Sequence, residues 1–285
     1  MDKTEIQKIE RFALEIRLET LKQITIRGFG HLGGAMSVVE LLAVLYGKVM
    51  NIDSKNPKKR DRDFLVCSKG HAGPAIYSTL ALKGYFSMAE LMTLNQNGTN
   101  LPSHCDMNKT IGIDMTTGSL GQGVSTAMGI AVGNRLDGLN NYTYLIVGDG
   151  ELNEGQCWEG FMFAAHQKLD NLICFLDYNK KQLDGYLEEI CNPFDFEEKF
   201  KAFGFETQKV NGASIEEIFK AIENAKNKKG MPHVIILDTI KGQGIDFVVE
   251  DGGHHMRFSE KHFIQASEAI KHFENLLKTP VNGGN

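Results

Sequence analysis

The chain has 285 residues, enough for one large domain or two small ones at roughly 150 residues per domain. Its 42% hydrophobic and 24% charged content suits an ordinary globular core, and no apolar run nears the ~18 residues of a membrane span. A net charge of −5, from 31 Lys and Arg against 36 Asp and Glu, offers no bulk field to a phosphate backbone and argues against nucleic acid as a partner.

At the N-terminus, Ile6, Ile9, Phe12, Ala13, Ile16 and Leu18 recur at helical spacing among acidic residues. That pattern predicts an amphipathic helix, not a targeting peptide. Gly28-Phe29-Gly30-His31-Leu32-Gly33 then forms a literal G-x-G-x-x-G before the apolar stretch SVVELLAVLY. Read as a dinucleotide fingerprint, it would make the chain an NAD-binding oxidoreductase. The context opposes this: Ile24-Thr25-Ile26 is too short a strand and continues the helical pattern. Asp53, the acid that would meet a ribose, falls in the polar stretch 51–63, read as a solvated loop.

Four apolar runs rich in β-branched and aromatic residues predict strands at 64–68, 142–149, 171–179 and 233–240. Helical periodicity lies between them, at 74–85, 121–136, 155–169 and 214–228. Trp158, Phe161 to Phe163 and His166 read as packing. The alternation predicts an α/β fold, a parallel sheet with helices on both faces, in one domain over 1–285. Residues 259–277 form a last amphipathic helix, and the tail 279–285 reads as a frayed terminus or linker stub. The five cysteines, Cys67, Cys105, Cys157, Cys174 and Cys191, contain no C-x-x-C; reduced thiols and a cytoplasmic compartment are expected.

In such sheets ligands bind at the carboxyl ends of the strands. Gly148-Asp149-Gly150 ends one predicted strand and Asn179 ends the next, thirty residues on and one β-α-β unit away. Carboxylate and amide oxygens together suit magnesium or calcium, which takes its remaining ligands from phosphate and water. Thr116-Thr117-Gly118-Ser119-Leu120-Gly121-Gln122-Gly123 opens a helix whose first turns are small. Free N–H groups there would suit an anion, although for this stretch alone a plain glycine-rich helix start is the better explanation.

These residues resemble the thiamine diphosphate motif, and the surrounding segments resemble transketolases. The matching pieces are GHLGGAMSVVELL (30–42), DRDFLVCSKGHAGPAIY (61–77), LPSHCDMN (101–108), MTTGSLGQGVS (115–125), GDGELNEGQCWE (148–159) and DYNKKQLDG (177–185). The resemblance implies thiamine diphosphate and Mg2+, replaceable by Ca2+ or Mn2+, with Asp149, Asn179 and the Lys181 carbonyl as metal ligands. It further implies Gly150 against the diphosphate and Gly118, Ser119 and Leu120 against the aminopyrimidine side. His31, His71, His104 and one of His254 and His255 would line the substrate channel, His71 and that last histidine also reaching the cofactor. Counting from Gly244 favours His255, although EDGGHHMRF departs from the family's W-H-G. Glu154 matches an acid that links paired active sites across a subunit interface. Neutral imidazoles suit the proton movements of ketol transfer on sugar hydroxyls.

The resemblance covers only the first half of a transketolase, without the pyrimidine domain. A separate C-terminal subunit in an α2β2 heterotetramer, acting on sugar phosphates, is therefore expected. A split ketol transferase for a sulfonated or branched sugar phosphate would keep every motif. The α subunit of a 2-oxo acid dehydrogenase pairs Asp and Asn likewise but lacks GHAGPA and LPSHCDMN. A regulatory subunit without catalysis is opposed by the intact Asp149, Asn179 and histidines.

Overall fold

The computed structural model describes residues 1–279; Pro280–Asn285 of the expected frayed tail lie outside the described residues. Asp2 accepts from the Glu5 N–H at 2.8 Å while Glu5 accepts from the Asp2 N–H at 3.2 Å, a reciprocal cap that starts α1 (Lys3–Arg27). Helix α1 runs through Ile24, Thr25 and Ile26 and ends at Gly28, whose φ of 71° suits glycine. No strand precedes the G-x-G-x-x-G, so the dinucleotide reading fails on geometry. There follow β1 (Phe29–Gly30), α2 (Leu32–Met36) and α3 (Val39–Val44), which widens into a π turn at Leu45–Val49. Residues 51–63 form the expected loop.

Strand β2 (Phe64–Cys67) leads to α4 (Gly73–Leu82), and a long loop then reaches α5 (Gln122–Leu136). Strand β3 (Thr143–Gly148), α6 (Gly155–His166) and β4 (Leu172–Tyr178) make the central β-α-β unit. Beyond it come α7 (Leu187–Ile190), α8 (Phe196–Ala202), β5 (Glu206–Asn211), α9 (Ile215–Asn227) and β6 (His233–Asp238). The described chain closes with α10 (Asp246–Asp251), β7 (Met256–Arg257) and α11 (Glu260–Lys278).

Five parallel strands stand in the order β2-β3-β4-β6-β5. Alternate residues leave opposite faces, so Tyr144 and Ile146 join a core with α1, α3, α4 and α9, while Leu145 and Val147 join one with α5, α6 and α8. Both faces are covered, as the unbroken apolar strands require. Strand β5 was not among the expected strands. Its sequence ETQKVN is polar because it pairs with β6 on one side only and keeps its side chains half solvated.

The pair β1–β7 was also missed. It is antiparallel, Phe29 opposite Arg257 and Gly30 opposite Met256, and it ties the segment after α10 to the residue before His31. On α6, Phe161 is buried, but Met162 (55%) and Phe163 (44%) are exposed, as is His166 at the helix end. A helix with 3.6 residues per turn cannot bury three consecutive positions on one face, so the reading of these residues as packing holds only in part. Among the described residues no helix is long and apolar enough to cross a membrane. Cys67, Cys105, Cys157 and Cys174 are buried free thiols, and Cys191 is exposed.

Candidate active site

Gly148 pairs with Asp177 in the β3–β4 ladder, which sets Asp149 opposite Tyr178, one residue before Asn179. The two predicted ligands therefore emerge side by side at the carboxyl edge of adjacent strands. Asp149 is buried; its Oδ1 accepts from the Gly150 N–H at 2.8 Å and its Oδ2 from the Lys180 N–H at 2.6 Å. Burial, followed by the nearby Asp177 charge, pushes the Asp149 carboxyl up to about 7. Asn179 donates through Nδ2 to Asp177 Oδ2 at 2.9 Å, and its Oδ1 accepts from the Lys181 N–H at 3.2 Å. A Cβ on Gly150 would stand 2.6 Å from the Gln182 Cβ, so only glycine fits there. A buried carboxylate left short of positive charge, beside an amide oxygen, is a hard-oxygen set that fits Mg2+, Ca2+ or Mn2+. Lys181 lines the same cavity, of about 290 Å3, with Gly150, Leu120, Lys241 and His254. A larger groove of about 910 Å3 opens beside it and shares Asn179, Lys181 and Lys241.

The predicted histidines converge. The His31 ring lies 5.6 Å from His71, 5.2 Å from His104, 5.2 Å from His254 and 4.7 Å from His255. His71 meets His254 at 4.6 Å. The β1–β7 pairing brings this about, because it sets His254 and His255 beside the residue that follows β1. Of the two, His254 lines the cavity with Asp149, whereas His255 packs edge-on against His31 and tilted against Phe29. The count from Gly244 favoured His255; of the pair it is His254 that lines this cavity, while His255 lies closest to His31.

Burial, then the neighbouring imidazoles His254, His255 and His104, brings His31 down to about 3. Burial and Lys241 bring His254 down to about 4, and burial with Lys69 holds His71 well below its ordinary value. His104 is lowered too, by burial and then His255. These rings are neutral donor–acceptor groups at pH 7. Gly34 makes the approach possible, since a Cβ there would lie 2.8 Å from the His71 ring.

The Gly118 stretch packs differently from the anion-site reading. Gly118, at φ 137°, lies under the His104 ring, and Leu120 reaches the cavity wall, while Ser119 is exposed. The Gly121 N–H at the start of α5 is engaged by the buried Glu151 carboxylate at 2.8 Å. Glu151 also accepts from the Gly148 N–H at 3.0 Å and from the Ser68 hydroxyl, locking this loop to the end of β3. Glu154 stays exposed at the start of α6.

Four buried charged residues at this edge escaped the sequence reading. Besides Glu151 they are Lys69, Asp177 and Lys241. Lys69 and Asp177 form a buried ion pair at 2.5 Å, and the pair with its hydroxyl partners outweighs burial to hold Asp177 below the usual carboxylate range. Lys241 donates to the Gln182 carbonyl at 3.1 Å, and burial pulls its ammonium down to about 8. The signal was present: a charge at the end of an apolar strand run, in LICFLD for Asp177 and just past HVIILDTI for Lys241.

Comparison with known proteins agrees with this geometry. The profile of the family described as transketolase, thiamine diphosphate binding domain, matches residues 9–261. The chain is 52% identical over 250 residues to the 6-deoxy-6-sulfo-D-fructose transketolase subunit SqwG of Clostridium sp. (strain MSTE9), covering 86% of this chain and 90% of that protein. It is 39% identical over 219 residues to an apulose-4-phosphate transketolase subunit of Actinobacillus succinogenes, covering 77% and 79%. It is 34% identical over 287 residues to human transketolase, covering 98% of this chain but 45% of that one. The crystal structure of transketolase from Campylobacter jejuni superposes with a TM-score of 0.84 at 30% identity, over all of this chain and 44% of that one. The chain thus spans less than half the length of these larger enzymes.

Proposed function

The chain belongs to the transketolase family through its thiamine diphosphate-binding domain, and on that premise we propose that it is the diphosphate-binding subunit of a two-chain enzyme that moves a two-carbon ketol unit from a ketose phosphate to an aldose phosphate. The observation that carries the reading is the placement of Asp149 and Asn179 side by side at one sheet edge, lining a cavity together with His71 and His254. Asp149, Asn179 Oδ1 and the Lys181 carbonyl would hold magnesium. Gly150 leaves room for the diphosphate, the Lys241 ammonium offers it a counter-charge, and Leu120 would face the aminopyrimidine side. Thiamine diphosphate, when bound, supplies the nucleophilic carbon and the electron sink for carbon–carbon cleavage. His31, His71, His104, His254 and His255 would meet the sugar hydroxyls. Rings held near 3 and 4 are weak bases, so His31 and His254 orient hydroxyls by hydrogen bonding more than they carry protons at pH 7.

A second polypeptide is supported by the relatives that match this chain over most of their length, which are named as subunits. Exposed apolar side chains at the mouth of the site support it as well: Leu183, Tyr186, Phe194 and Ile240 flank the two cavities. A polypeptide carrying the pyrimidine half would cover them, and two copies of each chain would form an α2β2 assembly. A second reading, in which the donor is a sulfonated ketose, is favoured by the 52% identity with the sulfofructose transketolase subunit. The test mixes the chain with its co-expressed partner and assays ketol transfer with and without thiamine diphosphate and Mg2+. Donors are a ketose phosphate and 6-deoxy-6-sulfo-D-fructose. Cofactor-dependent transfer that requires both chains supports the proposal, and the faster donor decides between the readings. Full turnover by the chain alone overturns the split-enzyme reading.

A further inference from the structure

We propose that Asp177 is a positioning residue that fixes which end of the Asn179 amide is presented to the cation. The inference rests on the assignment of Asp149 and Asn179 as metal ligands under the proposed function. A carboxylate has no proton to give, so only the Nδ2 group of Asn179 can meet it. Nδ2 lies 2.9 Å from Asp177 Oδ2. Oδ1 is thereby left at the other end, where it accepts from the Lys181 N–H at 3.2 Å on the edge that Asp149 shares. Without an acceptor at 177, the two ends of the amide are alike in size and only the Lys181 N–H, at a long 3.2 Å, favours the oxygen end.

Asp177 is itself held from several directions. Its Oδ1 accepts from Thr239 Oγ1 at 2.6 Å, just beyond β6. Its Oδ2 accepts from Ser37 Oγ, between α2 and α3, at 2.7 Å, and from Lys69 Nζ, beyond β2, at 2.5 Å. Lys69 Nζ is anchored in turn on the Gly34 carbonyl at 2.7 Å. The carboxylate therefore cannot turn. The Lys69–Asp177 pair is buried, with side-chain exposures of 1% and 0%. Stability does not account for burying it, since apolar residues of similar volume often serve a fold as well as a buried ion pair. An apolar pair could not accept the Asn179 amide proton. Groups that orient metal ligands in this way typically matter by about 10- to 100-fold in metal affinity.

The test reads Mn2+ binding with thiamine diphosphate, through the electron paramagnetic resonance signal of free manganese, on the full chain with its partner. The apolar pair Lys69→Met with Asp177→Leu removes the acceptor together with its cation and should weaken Mn2+ by at least about tenfold. Asp177→Asn should bind within about threefold of the unmodified protein, because the Lys69 ammonium, which can only donate, draws the new amide's oxygen to the position that meets Asn179 Nδ2. Asn179→Asp sets two carboxylates together and should bind more weakly than Asp177→Asn. Circular dichroism of the metal-free proteins separates misfolding from lost affinity. If the apolar pair does not fold, Asp177→Asn against Asn179→Asp decides alone. The inference is overturned if the apolar pair binds like the unmodified protein, if Asp177→Asn binds as weakly as the apolar pair, or if Asn179→Asp binds as tightly as Asp177→Asn. Failure of the unmodified protein to bind Mn2+ overturns the ligand assignment itself.

Discussion

The buried imidazoles at the site make the fold sensitive to acid. His31 and His254 are held neutral, near 3 and 4, whereas in the unfolded chain a histidine titrates near 6.5. Below pH 6.5 the unfolded state binds more protons, so the stability these groups contribute is complete above that value. It is lost as pH falls through 6.5 towards 4 and 3. Urea unfolding at pH 7 and pH 5 should show this loss, and His31→Asn with His254→Asn should make it shallower. An unchanged acid dependence would contradict the burial argument. Lys69 makes the complementary case, because Lys69→Met strands the Asp177 carboxylate without its cation. It should cost about 3–5 kcal/mol in chemical unfolding, and a loss below ~1 kcal/mol would show that the site relaxes. At this scale the convergence of Asp149 and Asn179 was legible from their spacing across one β-α-β unit, and that of the histidines from the motifs that resemble the family's. Lys69, Asp177 and Glu151 were not, because a buried charge declares its role only through partners distant in sequence.

Among the elements, β2, β3, β4 and β6 were legible as apolar runs because both faces of each strand are covered. Strand β5 was not, because an edge strand is free to be polar. The two-residue strands β1 and β7 carry no periodicity at all, yet their pairing delivers His254 and His255 to His31. Helix α8 was also missed, being short, although it supplies Phe200 to the core beneath α6. The Phe200 ring lies 5.5 Å from Trp158, 5.0 Å from Phe161 and 5.5 Å from Phe205. Phe200→Ala should cost about 3–5 kcal/mol by leaving a cavity there. Since Trp158 is the one tryptophan in the chain, its fluorescence reports that packing directly. An unshifted emission spectrum with an unchanged unfolding midpoint would place the cluster outside the cooperative core.

At the scale of the whole molecule, this chain matches under half of human transketolase but 90% of the sulfofructose transketolase subunit. The sheet edge that carries Asp149 and Asn179 opens towards exposed Leu183, Tyr186, Phe194 and Ile240, a surface suited to a second polypeptide. Sedimentation of the co-expressed chains should therefore give a single species with two copies of each. Separate sedimentation of the two chains at micromolar concentration would contradict the assembly. The claim beneath all of this is that Asp149 and Asn179 hold a divalent cation that in turn holds the diphosphate. Calorimetric titration of thiamine diphosphate with Mg2+ into the assembled protein tests it most directly. The unmodified protein should bind and Asp149→Ala should show no detectable heat, whereas equal binding by both would contradict the metal site.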